Sequence, residues 1–168
     1  NENKVLVLTK TVGVGRFLSL LTRSKQFKRK FLEISSIDGF VSNLARRLKI
    51  NIKSPQQLED KEKRKHFDEY LPSVCKKIFE ENADKKFDVL IIDEGQDFHK
   101  NWYDVLKCMI KDDGHMFLFY DPLQKQISNS MAETLNENKD NYPYFNLTAN
   151  YRNSSSITNF LSKLINKF

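Results

Sequence analysis

One stretch of the chain, residues 87–98, carries the residue types that metal-dependent phosphate chemistry needs. An apolar run leads directly into two adjacent carboxylates, Asp93 and Glu94, and Gln96 and Asp97 follow closely. One carboxylate can hold Mg²⁺, usually through water, and its neighbour can orient or deprotonate an attacking water. The spacing therefore predicts a metal–nucleotide site. The structural alternative is a polar turn after a buried strand.

The apolar run before these carboxylates predicts a strand buried on both faces, because three of residues 89–92 are β-branched. Two more polar clusters follow predicted strands: residues 121–124 follow a strand at 116–120, and residues 150–152 follow one at 145–148. The C-terminal ends of parallel strands share one edge of a sheet, where open α/β sheets bind ligands. The three clusters are therefore expected to converge.

The elements that would position these clusters alternate along the chain. Five strands are predicted, at residues 4–9, 31–35, 89–92, 116–120 and 145–148. Alternation with amphipathic helices predicts an α/β fold with a mostly parallel sheet and helices on both faces. The helix from Trp102 through Ile110 is expected to end at 112–114, and a last helix carries Ile157 to Ile165. No repeat or linker divides the chain, so one domain over 1–168 is predicted.

Composition restricts the compartment. Hydrophobic residues make up 39% of the 168 positions and charged residues 30%, enough for a globular core. No run approaches about 18 apolar residues and no signal peptide is recognised, so we expect a cytoplasmic protein without a membrane span. Cys75 and Cys108 match no metal spacing and are predicted to be free thiols on apolar helix faces.

The net charge of +6 is unevenly distributed. Residues 1–65 contain 16 basic and 6 acidic side chains, a net of +10, and the remainder carries −4. A basic N-terminal part indicates a polyanionic partner such as nucleic acid. The alternative is an ordinary lysine-rich solvated surface.

The polar clusters resemble motifs in the first RecA-like domain of superfamily 1 helicases of the UvrD/Rep type. Residues 93–97 (Asp-Glu-Gly-Gln-Asp) resemble the family's Walker B motif, residues 121–124 motif III, and residues 147–152 motif IV. The first strand, residues 5–9, resembles motif Ia. Residues 36–40 are similar to the Thr-x-His-Ser-Phe segment that follows it, with Asp38 where histidine is usual.

This resemblance implies a nucleotide site that uses ATP and Mg²⁺. Asp93 would bind Mg²⁺ through water, Glu94 would be the general base, and Gln124 would help couple the γ-phosphate state to nucleic-acid contacts. Three further residues are implied to bind the nucleotide. Gln96 would share the coupling role of Gln124, Tyr151 would stack on adenine, and Asp121 is the first residue of motif III. Arg152 would reach the γ-phosphate.

The resemblance also implies a track for single-stranded DNA, with RNA as an open alternative. Thr9, Lys10, Ser36 and Phe40 would lie near this track, where backbone charge and base stacking supply affinity. The family usually has an aromatic residue where Lys10 stands, so base stacking is not expected there.

One departure from the family is an absence. Gly13 and Gly15 do not form a phosphate loop, and no Gly-x-x-x-x-Gly-Lys-Ser/Thr occurs in the sequence. Motifs V and VI, which belong to a second RecA-like domain, are also missing. We therefore expect a fragment of a longer helicase, whose parent chain supplies the P-loop segment and the second domain. The fragment alone is not expected to hydrolyse ATP, and a degenerate relative is the alternative.

Two other functions remain as hypotheses. A non-catalytic RecA-like module would bind single strands without any dependence on nucleotide. A metal-dependent nuclease would use Asp93, Glu94, Asp97 and Asp121, but it lacks a well-placed lysine or histidine, since His99 and Lys100 fall at a predicted helix start. Replacement of Glu94 in the parent protein would separate the helicase from the binding module.

Overall fold

A computed structural model describes residues 3–23, 31–55, 58–121, 124, 129–138, 141–147 and 154–165. The chain divides into two compact units, Asn1–Glu137 and Asn138–Phe168, and the prediction of a single domain stays a prediction. None of the helices in the described ranges is long and apolar enough to cross a membrane.

The first unit is built on an all-parallel sheet of four strands in the order β2-β1-β3-β4. The strands are β1 (Val5–Thr9), β2 (Leu32–Ser36), β3 (Phe87–Ile92) and β4 (Ile110–Leu118). The predicted α/β fold with a parallel sheet is confirmed, with four strands in place of five.

Helices lie on both faces of this sheet, as predicted. The helices of the first unit are α1 (Val12–Arg23), α2 (Ile37–Arg47), α3 (Asp60–Lys65), α4 (Leu71–Glu81), α5 (Trp102–Cys108) and α6 (Met131–Glu137). Crossover connections between parallel strands are right-handed. The connection from β1 to β2 runs towards one edge of the sheet and the connection from β2 to β3 runs back towards the other, so the helices of these two connections lie on opposite faces. The glycine at position 15 of α1 accordingly lies against Thr9, whereas Leu6 and Leu8, on the other face, are fully buried in a core with α2, α4 and α5.

Aromatic packing forms the centre of that core. Phe40 of α2 stacks on Phe79 of α4 with ring centroids 6.3 Å apart, and it meets Phe87 of β3 edge-on at 5.9 Å. All three rings are buried. Burial of an aromatic side chain contributes about 1.5–3 kcal/mol, so this cluster fixes α2 and α4 against the sheet.

Local signals explain where the helices begin and end. The Ser36 hydroxyl caps α2 by accepting a hydrogen bond from the Gly39 N–H (3.3 Å). After α2, Lys49 adopts a left-handed conformation (φ 57°). A π-helical segment, His66–Tyr70, runs directly into α4, whose first turn contains Pro72. Proline has no N–H to donate to the preceding turn, so Pro72 lies where the π-helical hydrogen-bond pattern ends and α4 begins, in agreement with the predicted break or helix start.

The predicted boundary between α5 and β4 was wrong. The helix ends at Cys108, and β4 already begins at Ile110, so Asp112, Asp113 and Gly114 lie inside the strand. Because β4 is an edge strand with a register shift beside Phe87, polar residues and a glycine fit there without disrupting a core. Apolar periodicity alone did not reveal this irregular strand.

The two cysteines are free thiols on helices, as predicted. Cys75 of α4 is buried and Cys108 at the end of α5 is half-buried. Burial raises the pKa of the Cys75 thiol well above its usual range. Cys75 is therefore an inert packing residue.

The second unit contains one described helix, α7 (Ser155–Ile165), where the last helix was predicted. Ser154 accepts a hydrogen bond from the Ile157 N–H at 3.5 Å, in agreement with the expected cap. The fifth predicted strand is not formed in its described part, residues 145–147, which are irregular and highly exposed. Only Phe145 and Leu147 are apolar in this segment, and so short a pattern does not specify a strand.

Candidate functional site

An open cleft of about 160 Å³ lies at the C-terminal edge of the sheet. Leu8 pairs with Ile92 and Ile92 with Leu118, so the chain leaves β1, β3 and β4 side by side. The cleft is lined by residues that follow these strands: Thr9, Lys10, Thr11, Val14, Asp93, Glu94, Gln96, Asp97 and Gln124. The parallel sheet thus brings the acidic cluster after β3 together with the glutamine of the cluster after β4.

A tight loop after β3 presents the first two carboxylates. Glu94 has φ 55° and ψ 50°, a left-handed conformation that costs a residue with a side chain roughly 1–2 kcal/mol. The N–H of Gly95 donates to the Phe119 carbonyl at 2.8 Å. A side chain at position 95 would collide with Leu118, since a Cβ there would lie 2.7 Å from a Leu118 methyl carbon. The glycine therefore lets the loop approach β4 without displacing the end of the Leu118 side chain.

Gln96 holds the loop together from inside. Its side chain is almost completely buried, and its amide nitrogen donates a hydrogen bond to the Glu94 carboxylate. Its amide oxygen accepts from the Asp121 N–H at 3.0 Å, and its backbone carbonyl accepts from the Ser130 hydroxyl. Gln96 thus joins the segments after β3 and β4 and the start of α6. Both polar ends of its side chain form hydrogen bonds within the protein, and Gln96 also lines the cleft.

The cluster after β4 continues this network. The side-chain amide of Gln124 donates to the Asp121 carboxylate at 2.8 Å. A chain of hydrogen bonds therefore runs from the carboxylate of Glu94 through Gln96 to the backbone of Asp121, whose side chain meets Gln124. The coupling role expected of Gln124 stays a prediction, and these hydrogen bonds are the contacts through which it would act.

The pKa values of two acids in the cleft, Asp93 and Asp97, are raised. Burial raises the pKa of Asp93, and the neighbouring charge of Glu94 adds to the rise. Burial likewise raises the pKa of Asp97, again with a contribution from Glu94 that is opposed by Lys10. Asp97 has one buried carboxylate oxygen without a hydrogen-bond partner in the described structure. The described lining of the cleft contains three acidic side chains, Asp93, Glu94 and Asp97, and one lysine, Lys10. This excess of negative charge favours the binding of a cation.

The donor set suits Mg²⁺ only as part of a metal–phosphate complex. Within the described ranges, no three His, Cys, Asp or Glu side chains are grouped so that they could hold a metal by themselves. Mg²⁺, however, usually keeps several waters and takes one or two carboxylates together with substrate phosphates. Asp93, with Glu94 beside it, supplies that smaller set.

Three residues expected near a nucleic-acid track are buried. Phe40 is only 1% exposed and packs in the aromatic core, so it has no free face for a base, which corrects the expected contact. Thr9 is also 1% exposed, and its hydroxyl donates to the Thr11 carbonyl at 2.9 Å. Ser36 is buried as the cap of α2. Lys10 is half-buried and lines the cleft.

Two expected site residues, Tyr151 and Arg152, lie outside the described residues. Among the described ones, sequence reasoning missed Ser130, which is buried and bonds to the carbonyl of Gln96. No motif points to this serine, because its role depends on the loop geometry after β3. Thr11 and Val14 of the cleft wall were also missed, although the strand–loop–helix pattern around β1 places them at this edge.

Comparison with known proteins adds no relative to these findings. The chain matches no model of a known protein family, no curated protein sequence and no solved structure. A function is therefore inferred from the chain's own residues and their geometry.

Proposed function

We propose that the chain is the part of an ATP-dependent superfamily 1 DNA helicase or translocase that carries its acidic metal–nucleotide loop. The observation that carries this proposal is the cleft itself, where Asp93, Glu94, Gln96 and Gln124 gather at the C-terminal edge of a parallel sheet. These are the residues whose motifs resemble that family, in the place where α/β sheets bind nucleotides.

The proposed roles within the cleft combine the family resemblance with the positions of these side chains. Asp93 would hold Mg²⁺, which when bound neutralises charge on the phosphates of ATP. Glu94 would orient and deprotonate the attacking water, and Gln96 fixes the Glu94 carboxylate for this task. Gln124, linked to Asp121, would sense the terminal phosphate. Tyr151 and Arg152 keep their expected roles at the base and the γ-phosphate as part of the proposal.

Single-stranded DNA is the proposed track, and the cytoplasm the proposed location. The basic N-terminal part of the chain, with a net charge of +10 over residues 1–65, supports a polyanionic partner. The 168 residues contain no P-loop lysine, so this chain alone is expected to give no measurable phosphate release from ATP. Robust turnover by the purified chain would contradict that expectation.

The proposal is tested by the effect of nucleotide on DNA binding. The affinity of a fluorescent oligothymidine for the chain is measured by anisotropy, with and without Mg²⁺–ATP, across a range of NaCl concentrations. We expect roughly tenfold weaker binding between 50 and 200 mM salt if about three phosphates are contacted. The helicase function further requires that Mg²⁺–ATP change the affinity and that Asp93→Asn abolish this change.

A non-catalytic binding module gives the same salt dependence with no effect of nucleotide. Lys76→Met is the control, because it removes one exposed charge of α4 and leaves the cleft intact. An affinity that is identical with and without Mg²⁺–ATP in the unmodified chain would contradict the helicase function. That result would support the non-catalytic binding module instead.

A further inference from the structure

The ammonium group of Lys10 lies against the protein interior. Its Nζ atom is 5.9 Å from the centre of the Phe98 ring, and Phe98 is fully buried. Lys10 follows β1 directly and lines the cleft with Asp97, the residue before Phe98. A cation at this distance from an aromatic face is attracted by the negative potential of the ring. The ring therefore helps to fix the ammonium group beside the acidic loop.

Two carboxylates with buried, unpartnered oxygens lie within the field of this cation. They are Asp38, in the first turn of α2, and Asp97, after β3. Burial raises the pKa of both carboxyl groups, Asp68 raises that of Asp38 further and Glu94 that of Asp97, and in both cases the charge of Lys10 opposes the rise. A carboxylate withdrawn from water needs a compensating charge.

No other basic side chain lines the described part of the cleft. Lys10 directly follows Thr9 of β1, which pairs with Ser36 two residues before Asp38, and it lines the cleft with the acidic loop after β3, so it lies between the start of α2 and that loop. The ammonium group of Lys10 therefore lies among several negative charges. These charges favour a position of the ammonium group within the cleft over a position in solvent.

We propose that Lys10 is a positioning residue whose ammonium group is an internal counter-cation, linking Asp38 of α2 to Asp97 of the acidic loop and partly neutralising the cleft. Lys10 is then committed to the protein and does not serve as a phosphate contact for the nucleic acid. Asp93 and Glu94 keep their charge for a divalent cation. The effect of Lys10 on a bound divalent cation rests on the proposed function. The link between Lys10 and Asp38 does not, because it involves only residues of this chain.

The effect on the cleft is measured with Mn²⁺ alone, by electron paramagnetic resonance of the free ion. Lys10→Met removes a positive charge near the cation site, so Mn²⁺ should bind on the order of three- to tenfold more tightly. Lys10→Arg keeps the charge and should bind as the unmodified chain does. Lys76→Met, which removes a lysine of α4 remote from the cleft, should change the affinity less than twofold by the same Coulomb estimate. Equal affinities for Lys10→Met and Lys76→Met would overturn the counter-cation role.

The link to Asp38 is measured by urea unfolding of Lys10→Met, Asp38→Asn and the double variant. Lys10→Met leaves both carboxylates uncompensated and should lower the urea midpoint. Adding Asp38→Asn should recover a large part of that loss, because the uncompensated charge is gone. Should Lys10→Met fail to fold, circular dichroism of the double variant replaces the midpoint, and restored folding is expected. Strictly additive midpoints, or a double variant that stays unfolded, would overturn the link.

The two measurements separate failure of this role from failure of the proposed function. If the unmodified chain binds no Mn²⁺ without phosphate, the urea series alone decides the link between Lys10 and Asp38, and the metal–nucleotide site is judged by the measurements with Mg²⁺–ATP. A Lys10→Met variant that loses oligothymidine affinity, with no change in Mn²⁺ affinity and additive urea midpoints, would show that Lys10 contacts nucleic acid instead.

Discussion

At the scale of single residues, the acidic loop is shaped by one strained position and one buried amide. Glu94 adopts a left-handed backbone conformation that places its carboxylate at the cleft, and Gln96 holds that carboxylate from the interior. Strain of this kind persists where surrounding contacts enforce it, and it is common in functional loops. The sequence indicated the acids as the chemical centre and assigned Gln96 to the nucleotide, and both assignments stay predictions. A motif could not show that the Gln96 amide bonds to Glu94 and Asp121.

The strain at Glu94 is measurable by comparing Glu94→Gly with Glu94→Ala. Both variants remove the partner of the Gln96 amide, so they differ mainly in the backbone. Glycine adopts the left-handed conformation freely, and we expect Glu94→Gly to exceed Glu94→Ala by about 1 kcal/mol in the free energy of unfolding. Urea unfolding provides the measurement, and Glu94→Ala equal to or above Glu94→Gly would contradict the strain.

Asp38 gives a residue-scale prediction for pH. Burial raises its pKa, so between its ordinary value and the raised value the folded chain binds a proton that the unfolded chain does not. Stability of the unmodified chain relative to Asp38→Asn should therefore rise as pH falls from 7 through that window. Asp38→Ala should show the same pH-dependent part, because it also lacks the titrating group. A difference in unfolding free energy that is independent of pH would contradict this burial effect.

At the scale of elements, hydrophobic periodicity predicted the interior strands and most helices, and it failed at edges and ends. β3 was found as predicted because a strand buried on both faces needs a continuous apolar run. β4, an edge strand, tolerates Asp112 to Gly114, which the sequence suggested would end a helix. Residues 145–147 form no strand. A strand also needs a neighbouring strand to pair with, and hydrophobic periodicity does not predict that neighbour.

The end of α2 offers a test at this scale. The N–H groups of Lys49 and Ile50 donate back to the carbonyls of Arg46 and Ala45 at 3.1 and 2.8 Å, the pattern of a Schellman motif. Lys49 occupies its left-handed position and is exposed. Lys49→Gly should therefore raise the free energy of unfolding by about 1 kcal/mol, with Lys49→Ala close to the unmodified chain. A glycine variant less stable than the alanine variant would contradict this assignment.

At the scale of the whole molecule, strand order determines which distant residues meet. Because β1 lies between β2 and β3, Lys10 and the acids after β3 share one cleft although more than eighty positions separate them. The sequence predicted from the parallel sheet that the polar clusters after the strands converge, but it placed Lys10 at a nucleic-acid track and not among these acids. It could not predict the packing of Lys10 against Phe98 or the buried hydroxyl of Ser130, because both depend on three-dimensional loop paths.

The central claim, that this edge of the sheet handles a metal–nucleotide complex, is tested most directly by nuclear magnetic resonance. The isotope-labelled chain is titrated with Mg²⁺–ATP, and backbone amide shifts are recorded for the unmodified protein and for Asp93→Asn. The account predicts shifts concentrated at residues 9–11 and 93–97 and at Gln124, which disappear in Asp93→Asn. Shifts located elsewhere, or unchanged by Asp93→Asn, would contradict it.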